Sequence, residues 1–93
     1  MTQEAELPDV GTRVVLATEV DRYPDAMIPE GRSGTVTSAD EERIVVTLYE
    51  HQPGLEEWRN ELHWTRGIDT AEGQSVAEAF WSEVRPQSPA PTP

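Results

Sequence analysis

The sequence predicts an all-β domain, a five-stranded small barrel followed by one short helix. Three observations carry the prediction. Apolar residues alternate in short runs at 13–17 and 43–50, the period-two signature of strands with one buried face. Glycine and proline punctuate the chain between those runs, as at GRSG (31–34) and HQPG (51–54), which marks corners rather than helices. Unambiguous helical spacing is confined to 75–85. At 93 residues the chain has room for one domain, and a domain this small buries only about 60% of the surface its unfolded chain exposes.

Taken in order, residues 1–9 (MTQEAELPD) are acidic and polar and read as a flexible tail. The barrel is expected over 10–66. In its first strand Val14 and Leu16 point one way, Val15 and Ala17 the other. DRYPDAMIPEGRSG then carries too many prolines and glycines for a helix, so it reads as a long first loop pinned to the core by Met27 and Ile28. A second strand is expected at 35–38 and a polar turn at 39–42. The strongest strand runs over 43–50, with Ile44, Val46 and Leu48 on one face and Val45, Thr47 and Tyr49 on the other. HQPG makes the next turn.

LEEWRNELHWT fits two periods at once. Leu55, Trp58 and Leu62 have helical spacing, while Trp58, Asn60, Leu62 and Trp64 alternate. The reading adopted is a short strand at 55–58, one helical turn at 59–61 and a last strand at 62–65. Residues 67–74 form a linker. Ser75 and Glu78 fit a capping box, Val76, Phe80 and Val84 share one face of a helix over 75–85, and Pro86 is expected to stop it. A helix so short must dock to persist, and Phe80 and Trp81 are expected to cover an open edge of the barrel. Residues 86–93 read as a proline-rich disordered tail, in which Pro86-Gln87-Ser88-Pro89 matches a PxxP ligand by composition alone.

Charge narrows the function. Eighteen acids against seven arginines give a net charge of −11, so direct binding to DNA or RNA and to anionic membranes is disfavoured. The excess is spread along the chain: three acids and no base in 1–9, eleven acids against six arginines in 10–66, four acids against Arg85 in 67–93. There is no cysteine, which removes disulfides, thiolate chemistry and cysteine metal sites. The N-terminal residues lack the pattern of a signal peptide, and no apolar run reaches the ~20 residues of a membrane span. The expected location is the cytoplasm.

Four stretches together carry a family resemblance: Gly11-Thr12-Arg13-Val14 opening the first strand, Gly31-Arg32-Ser33-Gly34-Thr35-Val36 opening the second, the strand over 45–49, and Asn60-Glu61-Leu62 before the last. Over about residues 10–66 the chain resembles SH3-like barrels of the electron-transport accessory type. These include the small peripheral subunit of photosystem I, the variable chain of ferredoxin–thioredoxin reductase and the barrel of the nitrile hydratase β subunit. It also resembles small barrel proteins of bacteria and phages. The resemblance implies a non-catalytic docking part, a subunit or assembly factor of a metalloenzyme or redox enzyme.

The candidate sites are weighed residue by residue. GRSGTV lacks the Lys and the following helix of a phosphate loop, so Gly31 and Gly34 are expected to supply backbone angles other residues avoid. Arg13, Arg32 and Arg43 could line one side of the barrel, the basis of a nucleic-acid-binding alternative, although Asp40, Glu41 and Glu42 crowd Arg43. His51 and His63 are the only histidines, fewer than a zinc site requires without carboxylate help, and alternation turns His63 outward. Glu41-Glu42 and Glu56-Glu57 are adjacent acids on turns, whereas catalytic carboxylates work from sheltered sites. No catalytic residue, metal or cofactor is therefore expected. The aromatics say more. Tyr23, Tyr49 and Trp58 are expected to line a surface that binds a protein partner, with Trp64 in the core; for Trp58 a place in the core is an equal alternative. A second alternative, an acidic mimic that occupies the nucleic-acid site of another protein, follows from the net charge.

Overall fold

The computed structural model describes residues 6–22 and 26–87. The elements are β1 (Arg13–Leu16), β2 (Val20–Arg22), β3 (Ala26–Ile28), β4 (Ser33–Ala39), β5 (Arg43–Leu48), β6 (Glu61–Thr65), α1 (Val76–Glu83) and β7 (Val84–Pro86), with a 3₁₀ turn at Glu56–Trp58 ahead of β6. Five strands form one antiparallel sheet in the order β6-β5-β4-β1-β7, and β2 and β3 pair as a separate hairpin. The chain is mostly β with one short helix, as the alternation predicts. The expected closed barrel is replaced by an open sheet among the described residues. Strands β6 and β7 are its two edges, and α1, packed on β5, β6 and β7, fills the space between them.

Alternation sorts the side chains as expected. Val14, Leu16, Val36, Ile44, Val46, Leu48, Leu62 and Trp64 face one interior with Val20 and Ile28 of the β2–β3 hairpin, all buried. Met27 does not join them; it is exposed, and Ile28 pins the hairpin together with Val20. Within the stretch expected as a long loop from Asp21 onward, the described residues thus include two short paired strands, Val20–Arg22 and Ala26–Ile28. Tyr23 lies outside the described residues, as do 1–5 and 88–93 of the expected tails.

The GRSGTV corner uses its glycines in two different ways. Gly31 has φ +93°, a backbone region that strains residues with a Cβ, and its N–H donates to the Leu16 carbonyl at 3.0 Å. Gly34 is not at positive φ. It is buried where β4 crosses β5, and a Cβ there would stand 2.6 Å from the Thr47 carbonyl oxygen and from Val46 Cγ1. Close approach, not backbone angle, requires that glycine. The next corner is an Asx turn in which Asp40 Oδ1 accepts from the N–H groups of Glu42 and Arg43, both at 2.8 Å. A bulge between Val36 and Ser38 adjusts the β4–β5 register.

Residues 55–58 form no strand. Leu55 is buried, the 3₁₀ turn follows, and the helical turn expected at 59–61 stands three residues earlier. Asn60 explains the shift. At φ 62° its side chain accepts from Gln52 N–H at 2.7 Å and donates to the carbonyls of Leu48 at 3.0 Å and Glu50 at 2.7 Å. These bonds tie the HQPG turn to the start of β6. Asparagine tolerates the left-handed region better than most residues.

The capping box is present: Glu78 N–H donates to Ser75 Oγ at 3.1 Å, and Ser75 N–H to Glu78 Oε1 at 3.3 Å. Phe80 stands edge-on to Trp64, ring centroids 4.9 Å apart at 84°, so the helix docks on β6 through two fully buried rings. The helix ends at Glu83, earlier than the apolar spacing suggests. Arg85 precedes a proline and is driven toward extended backbone, and 84–86 pair with β1 as Leu16↔Val84, Val15↔Arg85 and Val14↔Pro86. Ala17 N–H donates to the Glu83 carbonyl and Gln87 N–H to the Arg13 carbonyl. Those bonds alternate along the ladder, so Pro86 stands where its missing N–H would face outward and costs nothing.

Candidate functional site

An apolar hollow runs along the edge of β6. Trp58 and Ile68 are its exposed apolar residues, at 47% and 79% of full exposure, and Leu55 and Leu62 form its floor. Its volume is about 280 Å³. Trp58 is held by an edge-on contact with His63, centroids 5.5 Å apart. His63 is turned outward as predicted but half-buried, with Nε2 3.5 Å from Glu61 Oε1.

Beside the groove the strand edge itself is occupied. Asn60 O and Arg66 N–H bond toward β5, so in β6 the backbone groups of Glu61, His63 and Thr65 face outward. Arg22, from β2, donates to the His63 carbonyl at 3.4 Å. Asp69 Oδ2 accepts from Thr65 N–H at 2.8 Å. The two side chains pair with each other, Arg22 Nε to Asp69 Oδ1 at 3.5 Å. Arg22 also lies 5.2 Å from the Trp64 ring centroid and 3.8 Å from Glu83, which accepts from Trp64 Nε1 at 3.1 Å. One ion pair thus takes up the His63 carbonyl and the Thr65 N–H, two of the groups that an incoming strand would otherwise use.

Tyr49 lies elsewhere. It is 56% exposed and lines a second, more polar hollow with Arg13, Gly31, Arg32 and Gln87; its hydroxyl bonds Thr35 Oγ1, and Arg32 pairs with Glu50. Of the three predicted partner-binding residues, Trp58 heads the apolar groove, Tyr49 lines a different hollow, and Tyr23 is outside the described residues. Trp64 is fully buried, in the core. Sequence reasoning missed Ile68 and Arg22. The only signal for Ile68 was a lone aliphatic in the polar linker GIDTAEGQ, and Arg22 gave none.

The histidines form two separate pairs with carboxylates, His51 with Glu56 at 3.1 Å and His63 with Glu61. Among the described residues no group of three or more candidate ligands could hold a metal. Glu56 titrates below the ordinary glutamate range, because it accepts from the Gly54 N–H at 2.9 Å, with its own N–H and the His51 charge adding to the effect. Among the described residues no helix is long and apolar enough to cross a membrane.

Fold and groove together define a small β-rich module with an apolar, aromatic-headed edge. Comparison with models of known families, with curated proteins and with solved structures finds no match to this chain.

Proposed function

We propose that this chain is a non-catalytic protein-binding module of SH3-like descent, whose partner seats an apolar side chain in the groove headed by Trp58. The SH3-like reading rests on the β4-β5-β6 meander and on the return of β7 beside β1. The binding reading rests on one observation: Trp58 and Ile68, both large and exposed, converge over an apolar floor at a sheet edge. Small-molecule sites usually enclose about 300–1,000 Å³. A shallow groove of about 280 Å³ falls below that range and suits a single anchoring side chain, the usual hot-spot arrangement at protein interfaces.

Covering one such side chain contributes about 1.5–3 kcal/mol. Trp58→Ala should therefore weaken partner binding roughly ten- to a hundredfold while leaving the far-ultraviolet circular dichroism unchanged. The measurement is the Kd of a protein captured with the full chain, identified by mass spectrometry and then purified. Tyr49→Ala, in the other hollow, should leave that Kd within about twofold. Equal affinity for the wild type and Trp58→Ala would remove the groove from the interface.

A further inference from the structure

The outer face of the five-stranded sheet carries a charge opposite to that of the molecule. Strand pairing places Arg13 opposite Thr35, Arg43 opposite Thr65, and Arg85 opposite Val15. All three arginines are exposed, and all three stand on the side away from Val14, Ile44 and Val84. Among the described residues none of them makes an ion pair, unlike Arg22, Arg32 and Arg66. Between them lie hydroxyls, with Thr37 bonded to Thr47 and Thr35 to Tyr49. Glu61 is the one carboxylate within the strands on this face, and it stands beside His63. The acids at the β4–β5 corner are partly engaged, since Asp40 is turned onto the backbone and Glu42 lies 3.6 Å from Arg66. In a chain of net charge −11, the strands present three arginines and a single carboxylate, Glu61, on this face.

Arg43 also lines the Trp58 groove, so face and groove are continuous. We propose that the arginine face receives an acidic, extended segment of the partner protein, and that the same segment supplies the side chain that fills the groove. This inference rests on the groove reading and specifies the partner's chemistry. Charge complementarity argues for a short acidic peptide over a nucleic acid. The Debye length at physiological salt is about 8 Å, so a short segment senses the local arginines and little of the distant acids. A polynucleotide spreads a phosphate charge over every few ångströms of its length and would meet the exposed Glu30, Glu41 and Glu50 around the rim.

The test uses a random dodecapeptide library displayed on phage and panned against the full chain at physiological salt. The enriched peptides should carry Asp or Glu around one aromatic or aliphatic residue. A synthetic copy should bind with an affinity that falls as salt rises. It should bind about tenfold more weakly to the triple variant Arg13→Ser, Arg43→Ser, Arg85→Ser, whose fold is checked by circular dichroism. If that variant does not fold, Arg43→Glu alone should produce a loss of the same sign. Peptides without acidic bias, or binding indifferent to the arginines, overturn the acidic-partner inference. In that case loss on Trp58→Ala still upholds the groove. Peptides that bind Trp58→Ala as well as wild type overturn the groove reading instead. No enrichment at all overturns both, and an oligothymidylate that displaces the peptide from the arginines at lower concentration overturns the choice of a protein segment.

Discussion

The sheet has two edges, and each is blunted by different chemistry. At β7 the protection is covalent: Pro86 has no N–H to offer where the strand faces outward, and α1 runs directly into the strand. At β6 it is ionic: Arg22 and Asp69, reaching in from β2 and from the turn after the strand, hold the outward carbonyl and amide. Proline cannot be displaced, whereas an ion pair with 18% and 16% exposed side chains can open. The apolar groove lies at the edge that can open. A small domain thus blunts one edge with a proline and places its apolar groove beside the other.

The comparison breaks most completely if the element joining the two edges is removed. Phe80 is fully buried and meets Trp64 of β6, while its helix continues into β7. Phe80→Ala should cost about 3–5 kcal/mol, a large share of the stability of so small a domain. Urea unfolding monitored by tryptophan fluorescence will read it. A loss below about 1 kcal/mol would mean that α1 does not hold the edges in place.

Arg22→Ala tests the ionic edge alone. It removes the donor to the His63 carbonyl and the partner of Asp69 and Glu83. The contacts are long and partly solvated, so a loss of about 1–2 kcal/mol is expected from the hydrogen bonds and the unpaired acids. The larger consequence is association: a bared β6 beside an apolar groove should raise the concentration-dependent light scattering. A variant that stays monomeric at high concentration would show that the ion pair does not guard this edge.

Much of this architecture was legible in the sequence, and the parts that were not share a cause. Val14, Leu16, Ile44, Val46 and Leu48 sort correctly because burial on one sheet face imposes period two. Ser75 and Glu78 form their cap because the motif is local. Strand β7 was hidden because Val84 satisfies both readings: it continues the helical face of Val76 and Phe80 and is also buried opposite Leu16. The 3₁₀ turn at Glu56–Trp58 was misplaced because Asn60 decides it, through bonds to residues eight to twelve positions away. The same holds for the site. The spacing around Trp58 fits core and surface equally, and Arg22, Ile68 and Leu55 meet it only after the β2–β3 hairpin and the turn beyond β6 fold against the strand. Nothing in the spacing of GRSGTV distinguishes the glycine needed for its φ from the one needed for its missing side chain.

The smallest effect is expected at the other edge. Pro86→Ala restores one N–H facing outward from β7, where solvent can satisfy it. The fixed proline φ also limits the unfolded chain, so its loss should cost only about 0.4–1 kcal/mol. Association should rise less than in Arg22→Ala, because β7 is three residues long and the apolar groove lies at β6. Light scattering of the two variants at matched concentration makes the comparison direct. The order Arg22→Ala above Pro86→Ala follows from placing the adhesive surface at β6. The reverse order would move it to β7 and make the proline, not the ion pair, the guard of the binding edge.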